Sequence, residues 1–478
     1  LPPLLYFVHI QALRMRFLRW TGSITMAVGL SFAAGNAFAA NGCAPGTFST
    51  TLSPDGNATS FLFDNLSATS DRSQGARRAT CAVSATPTAT KGFSVFDVDY
   101  RGFAVTTDKQ AVTLKAGKAG KAETLFAPKG GVNKDFQFSQ RFGTVDSEDL
   151  DLSLLLTATG KPGDIDPAQI FLDSIDVSRI GFTTMESVTA SLDGVAAQRR
   201  DLISRLNGAS GQMLGAAEPF SGDDTVGTFT GTNGMTGFNA RWNATEALTL
   251  LGGVALTTLG DATVDADNAF LFAGAARYAV PLDQSWKAFG EVGAWGTPDV
   301  SAGYSRSYLD GARLVSTTSY ASGSLLAVYA RMGVVYAPDS ANEIALSARL
   351  TRAMLGVSAY SEQNDPGNLF AARLSGRTTS WDAADIALMW THQLTPSLDT
   401  SLTLSAGQDF SNSDAVSADI DYVGKARGGW DARMFGSVGG RLGWQFHEGW
   451  SLDTTAQVDL REEADPSWNL GVQLKAKF

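Results

Sequence analysis

Histidine and cysteine are nearly missing from this chain of 478 residues, which has three His (His9, His392, His447) and two Cys (Cys43, Cys81). Because no His lies between Ala40 and the carboxyl-terminal half, no Ser-His-Asp or Cys-His set can form in that stretch. The hydrolase signatures G-D-S-L and G-x-S-x-G are also missing. Two thiols are too few soft ligands for a metal centre, and nothing in the sequence calls for a cofactor. Basic residues are short as well, 37 Lys and Arg against 48 Asp and Glu, for a net charge of -11. Such a balance excludes attraction to nucleic acid or to an anionic membrane surface. After the amino terminus no apolar run approaches the 18 or so residues of a membrane-spanning helix, so any insertion has to use strands. A β-helix repeat is absent too.

What is present is 50 Gly and 10% aromatic residues, a composition for β structure with many turns. The last stretch, 470–478, reads L-G-V-Q-L-K-A-K-F. Leu470, Val472, Leu474, Ala476 and Phe478 fall on one side of an extended strand, with Gly471, Gln473, Lys475 and Lys477 on the other. The strand before it alternates in the same way, Leu452, Thr454, Ala456, Val458 and Leu460 against Asp453, Thr455, Gln457, Asp459 and Arg461. A soluble sandwich also shows such alternation. The ending on Phe478, however, resembles the carboxyl-terminal signature of outer-membrane proteins, and the roughly 260 residues before it resemble the autotransporter barrel. The resemblance implies that Leu470, Val472, Leu474 and Phe478 act as a barrel-assembly signal.

The amino terminus carries Arg14, Arg16 and Arg19, an apolar run over 20–34, and small residues at Ala37 and Ala39. These mark a secretory signal over 1–39 with cleavage before Ala40, and a true start at Met15. A lone membrane anchor is the alternative, against which the shortness of the run counts.

Residues 40–175 read as an exported β-rich segment with short strands at 48–53, 60–66, 79–85, 92–105, 111–115, 135–142 and 150–158, the pattern of a sandwich or jelly roll. Leu150, Leu152, Leu154 and Leu156 make one buried face of the last of these. In an exported segment Cys43 and Cys81 are expected to form a disulfide, stabilising by about 4 kcal/mol if unstrained; two buried thiols are the alternative. Asp97, Asp99 and Arg101 share one strand face, either a carboxylate site or a solvated surface. G-C-A-P-G at 42–46, S-P-D at 53–55, R-R-A-T-C at 77–81 and G-F-S-V-F-D-V-D-Y-R-G-F at 92–103 resemble a family of small secreted proteins of unknown function. That resemblance implies no activity.

The linker, 176–217, changes to a helical period: Met185, Val188, Leu192, Val195, Leu202 and Leu206 recur at threes and fours, with Arg199 in the missing place. A bundle helix would look alike, but this one stands alone ahead of the barrel and about 20 residues suffice to run through a membrane's thickness. It resembles the autotransporter linker helix that occupies the barrel. The paired Asn at which some autotransporters are cut is absent; Asn207 stands alone before Gly208.

From 218 to 478, tight turns at 243–247, 281–285, 338–342, 395–397 and 447–449 alternate with longer links at 260–267, 297–321, 361–380, 412–432 and 462–467, and a further short loop at 232–234 separates the first two strands. That alternation predicts twelve strands; the link after Trp295 has room for an extended hairpin. Trp242, Tyr278, Trp286, Tyr336, Trp390, Trp444, Trp450 and Phe478 are expected in one aromatic girdle, and Trp295, Trp381 and Trp468 in the other. Gly407, Gly439 and Gly443 either make room for the helix or relieve strand curvature.

The fold expected is therefore all-β: a twelve-stranded transmembrane antiparallel barrel with a plug helix, preceded by a small sandwich-like passenger domain. The function expected is a monomeric autotransporter that displays a non-catalytic β domain to an unknown surface ligand. Its partners would be outer-membrane lipid, the Sec translocon, periplasmic chaperones and the barrel-assembly machinery, with no nucleic acid. The alternatives are a porin-like channel with a periplasmic amino-terminal domain and a surface-displayed enzyme.

Overall fold

The computed structural model describes residues 40–41, 43, 47–70, 75–85, 91–146, 148–215, 218–231, 234–260, 265–462 and 464–478. The predicted signal, with Met15, Ala37 and Ala39, lies outside the described residues.

Two five-stranded sheets form the amino-terminal part. One has the order Ala40–Asn41, Ala76–Ala85, Leu150–Thr159, Ala111–Lys118, Glu123–Phe126; the other has the order Phe48–Leu52, Ala58–Thr69, Gln169–Thr183, Phe93–Thr106, Val132–Val145. Period-two alternation turns Leu150, Leu152, Leu154 and Leu156 inward, where they share a core with Val98, Tyr100, Ile170 and Leu172. Cys43 and Cys81 are disulfide-bonded, tying the entry segment to the strand Ala76–Ala85.

Three of these strands escape the sequence reading: 40–41, 123–126 and 169–183. The last is central to its sheet, paired on both sides. It also corrects the boundary at 175, since the strand runs on through Val177 to Thr183 before the helix begins.

The remainder closes into an antiparallel barrel of twelve strands: Thr225–Gly231, Thr236–Asn243, Leu248–Gly260, Asp265–Pro281, Trp286–Asp310, Arg313–Tyr336, Asn342–Val357, Arg377–Thr395, Leu398–Asp409, Arg433–His447, Trp450–Arg461 and Ala464–Lys477. First and last pair to seal the wall, Thr225 opposite Lys477 and Gly231 opposite Gly471. At one end every connection is a short turn, as the turn residues predict. At the other, the link read at 297–321 is an extended hairpin reversed at Gly311, whose φ of 62° suits glycine. The links at 361–380 and 412–432 contribute a four-stranded sheet of their own, Tyr360–Ser361, Ala372–Leu374, Asn412–Ile420 and Gly424–Trp430.

Outward positions are apolar and exposed: Val254, Leu256, Val328, Leu346, Leu388 and Leu402 are examples, and Leu470, Val472 and Leu474 belong with them. Water would not tolerate so continuous an apolar belt, whereas lipid matches it. Trp242, Tyr278, Trp286, Trp390, Trp444, Trp450 and Phe478 are exposed beside the short turns, as expected of a girdle. Trp468 also faces outward, but Trp295 and Trp381 do not: they are 0% and 1% exposed. Both share strand parity with lumen carboxylates, Trp295 with Glu291 and Trp381 with Asp385, and so point inward.

Candidate functional site

What occupies the lumen is a helix of 29 residues, Met185–Met213, roughly 44 Å long. Thr184 caps it, extended at φ -111°, ψ 156°, its Oγ1 accepting from the Ser187 N–H at 3.2 Å. Glu186 lies in the favourable first turn, and the chain leaves at Gly215 with φ 68°. Val188, Leu192, Val195, Leu202 and Leu206 are buried, at 1% exposure or less, as the periodicity predicts. Met185 is 46% exposed. It is the first helical residue, at the rim, where there is no wall to pack against, and so drops out of the predicted buried series. Period reasoning missed Ile203, Ala209 and Met213, which are buried as well because a helix inside a barrel meets protein on more than one side.

The helix packs chiefly against the strands Trp286–Asp310 and Gly424–Trp430, one from the wall and one from the loop sheet. Trp295, Tyr304, Leu325 and Trp430 join its apolar residues in one cluster. Polar bonds fix its rotation. Gln198 donates to the Ser305 carbonyl at 2.7 Å and accepts from the Ser305 N–H at 2.8 Å. Arg199 Nη1 donates to the Ala415 carbonyl at 3.2 Å, and Gly429 N–H donates to Asp193 Oδ1 at 2.8 Å.

Gly428 approaches so closely that a Cβ there would stand 2.6 Å from that of Leu192. Gly428→Val should therefore lift the loop hairpin off the helix at a cost of about 1–3 kcal/mol. Faster protease nicking within 412–430 of the folded protein measures it; an unchanged rate would show that the contact is not needed.

The loop sheet is held by Glu362, whose buried carboxylate accepts from Arg306 Nε at 2.8 Å, Thr317 Oγ1 at 2.7 Å and the Ala372 N–H at 2.9 Å. Immediately beyond it stands the sandwich. Phe182 N–H donates to Asp310 Oδ1 at 2.7 Å, and Gly311 N–H donates to the Phe182 carbonyl at 2.6 Å. Phe93 and Val95 belong to the same apolar cluster as the helix, and Gly143 packs under the Tyr422 ring. The sandwich is thus seated at the long-loop end, joined through its central strand to the helix.

Within the sandwich, Asp97, Asp99 and Arg101 lie on one exposed face. Each is tied to a neighbour: Asp97 to Arg141 at 2.8 Å, Asp99 to the Ser139 hydroxyl, Arg101 to Asp176 at 3.4 Å. The hydrogen bond that Arg141 donates to Asp97, above all, holds its guanidinium above its ordinary pKa. The three side chains and their partners form a ladder of paired polar groups across the sheet face.

The inner wall below is charged and paired. Arg277 meets Glu291 at 2.6 Å, which also accepts from Tyr329 at 3.0 Å; Arg349 meets Asp385 at 2.9 Å. Arg441 and Lys475 share Asp453 at 2.7 and 2.5 Å. Alternation places Asp453 and Lys475 on the wet faces of the last two strands; the other members go unnamed in the sequence reading, although each sits at an inward position, and parity was the signal. Gly407 is close to its own wall, where a Cβ would meet the Ala384 carbonyl at 2.6 Å and Phe435 at 2.7 Å, so curvature explains it. Gly439 instead borders a cavity of about 340 Å³ left beside the helix. His392 is bonded to Asn342 at 2.9 Å and His447 is exposed, both by short turns.

A closed antiparallel wall, an apolar outer belt with an aromatic girdle and a charged lumen settle the class. The chain is an outer-membrane type of β-barrel.

A family model described as "Domain of unknown function (DUF4360)" matches residues 34–147. No curated protein matches the sequence. Among solved structures, the translocator domain of the autotransporter NalP from Neisseria meningitidis is 14% identical with a TM-score of 0.37, covering 60% of this chain and 100% of that one. The beta domain of the Bordetella autotransporter Brka is 11% identical with a TM-score of 0.33, covering 54% and 99%. The CymD monoaromatic hydrocarbon channel is 11% identical with a TM-score of 0.32, covering 56% and 93%.

Proposed function

We propose that this barrel exports the sandwich and presents it at the cell surface, as a monomeric autotransporter does. The observation that carries this reading is the path of the chain. It leaves the sandwich at the long-loop end, descends the lumen as the helix Met185–Met213, and enters the wall at Thr225, its first strand. In outer-membrane barrels the long loops face outward and the short turns the periplasm. A porin with a periplasmic amino-terminal domain would place that domain at the other end. On this reading export uses the Sec translocon, periplasmic chaperones and the barrel-assembly machinery, with Leu470, Val472, Leu474 and Phe478 as the assembly signal.

The sandwich is read as an interaction module. It has no His, and its exposed carboxylates Asp97 and Asp99 are engaged in hydrogen bonds.

Protease added to intact cells should remove the sandwich and leave a protected fragment of barrel size beginning within the helix. A sandwich that resists until the outer membrane is opened would place it in the periplasm, in favour of the porin-like reading.

A further inference from the structure

The helix does not fill the lumen. Beside its carboxyl-terminal half, the cavity of about 340 Å³ has room for roughly ten waters at about 30 Å³ each. Its rim at the long-loop end is formed by Ser467, exposed and on the inward parity of its strand, opposite Asp459 of the neighbouring strand, and its opposite end is reached at Glu218. The walls between are polar, Arg349 and Asp385 among them. Asn469 Oδ1 and Thr403 Oγ1 line it, buried and with no hydrogen-bond partner among the described residues. Buried polar atoms facing a polar cavity of this size call for water.

At the short-turn end, the segment following the helix lies across the opening. Glu218 Oε1 contacts Lys475 Nζ at 2.7 Å on the last strand. The N–H groups of Phe220 and Ser221 donate to the Glu343 carboxylate at 2.6 and 3.2 Å. Arg241 donates to the Pro219 carbonyl at 2.7 Å and to that of Phe220. Glu343 belongs to Asn342–Val357, the seventh of the twelve strands, across the barrel from the seam where first and last strands pair. Residues 218–222 therefore bridge opposite walls. The Phe220 ring fills the middle, 4.2 Å from the Arg277 guanidinium, 5.4 Å from that of Arg331 and 4.5 Å from the Phe289 ring.

We propose that residues 218–222 are an ion seal: they close the short-turn end of a hydrated lumen that is open at the long-loop end, and releasing them makes the barrel a pore for small ions. Small ions fit because the lining alternates Arg with Asp and Glu and is charged on both sides. The proposal goes beyond the display function and does not depend on what the sandwich binds.

The test is conductance of the purified full chain in planar lipid bilayers in potassium chloride, unaltered and with Phe220→Ala or Glu343→Gln. Phe220→Ala changes no residue of the wall, and migration before and after heating shows whether each variant is folded. Loss of the carboxylate charge and of one of its two hydrogen bonds, or of the ring, should raise conductance at least about tenfold over an unaltered chain that is nearly silent. Such a rise in either folded variant supports the seal. If neither folded variant conducts more than the unaltered chain, or if the unaltered chain already conducts at their level, the seal is wrong.

Discussion

Asp453→Ala should lower the unfolding free energy of the barrel by about 3–5 kcal/mol. The Asp453 side chain is 1% exposed and accepts from Arg441 Nε at 2.7 Å, Arg441 Nη2 at 3.2 Å and Lys475 Nζ at 2.5 Å. Arg441 and Lys475 are themselves nearly buried, so removing the carboxylate strands two cations away from water. Their remaining partners, Asp399 for Arg441 and Glu218 for Lys475, lie on opposite sides of the gap and each retains only one of the pair. Asp453→Asn, which keeps the shape and two acceptor lone pairs, should cost less. Urea-induced unfolding of the barrel refolded in lipid vesicles measures both. A loss below about 1 kcal/mol for Asp453→Ala would mean that water reaches this cluster and replaces the carboxylate.

Trp295→Ala should cost a similar amount, about 3–5 kcal/mol, for a different reason. Trp295 is fully buried in the apolar cluster that joins the wall to the helix, and its Nε1 has no hydrogen-bond partner among the described residues. The loss is therefore one of packing: the helix cannot move into the space because Gln198 and Asp193 anchor it to the wall and to the loop hairpin. Trp295→Phe should cost less than about 1.5 kcal/mol. Trp242→Ala is the useful contrast, since Trp242 is 53% exposed and lies in the girdle. Equal losses at Trp242 and Trp295 would argue that both face lipid, against an inward Trp295.

Both substitutions concern residues whose direction was open to reading. Along 286–296 the sequence W-K-A-F-G-E-V-G-A-W-G places Trp295 in phase with Lys287 and Glu291, so its inward direction follows from parity. Assigning it by its nearness to a long loop set that aside, and the same reasoning misplaced Trp381. Asp453 was correctly set on the wet face of its strand, but its partners were not readable, because they come from strands whose register is fixed only when the wall closes.

Local chemistry determined much of this protein. Alternation sorted lipid-facing from lumen-facing positions, the Gly, Pro, Asn and Asp turns set the strand count, and threes-and-fours spacing placed the helix. These depend on neighbours a few residues apart, which a strand or helix presents in fixed directions. The sandwich boundary was missed for a related reason: the strand Gln169–Thr183 follows a Pro- and Gly-rich stretch, and only pairing with two partners shows that it continues to Thr183. The tertiary structure alone decided which contacts fix the helix in the lumen and which wall residues the segment after it meets. Gly429 reaches Asp193 across 236 residues of sequence, and Phe220 reaches Glu343 across 123. Contacts so remote leave no period in the chain, because closing the barrel, and not the local backbone, brings those groups to bonding distance.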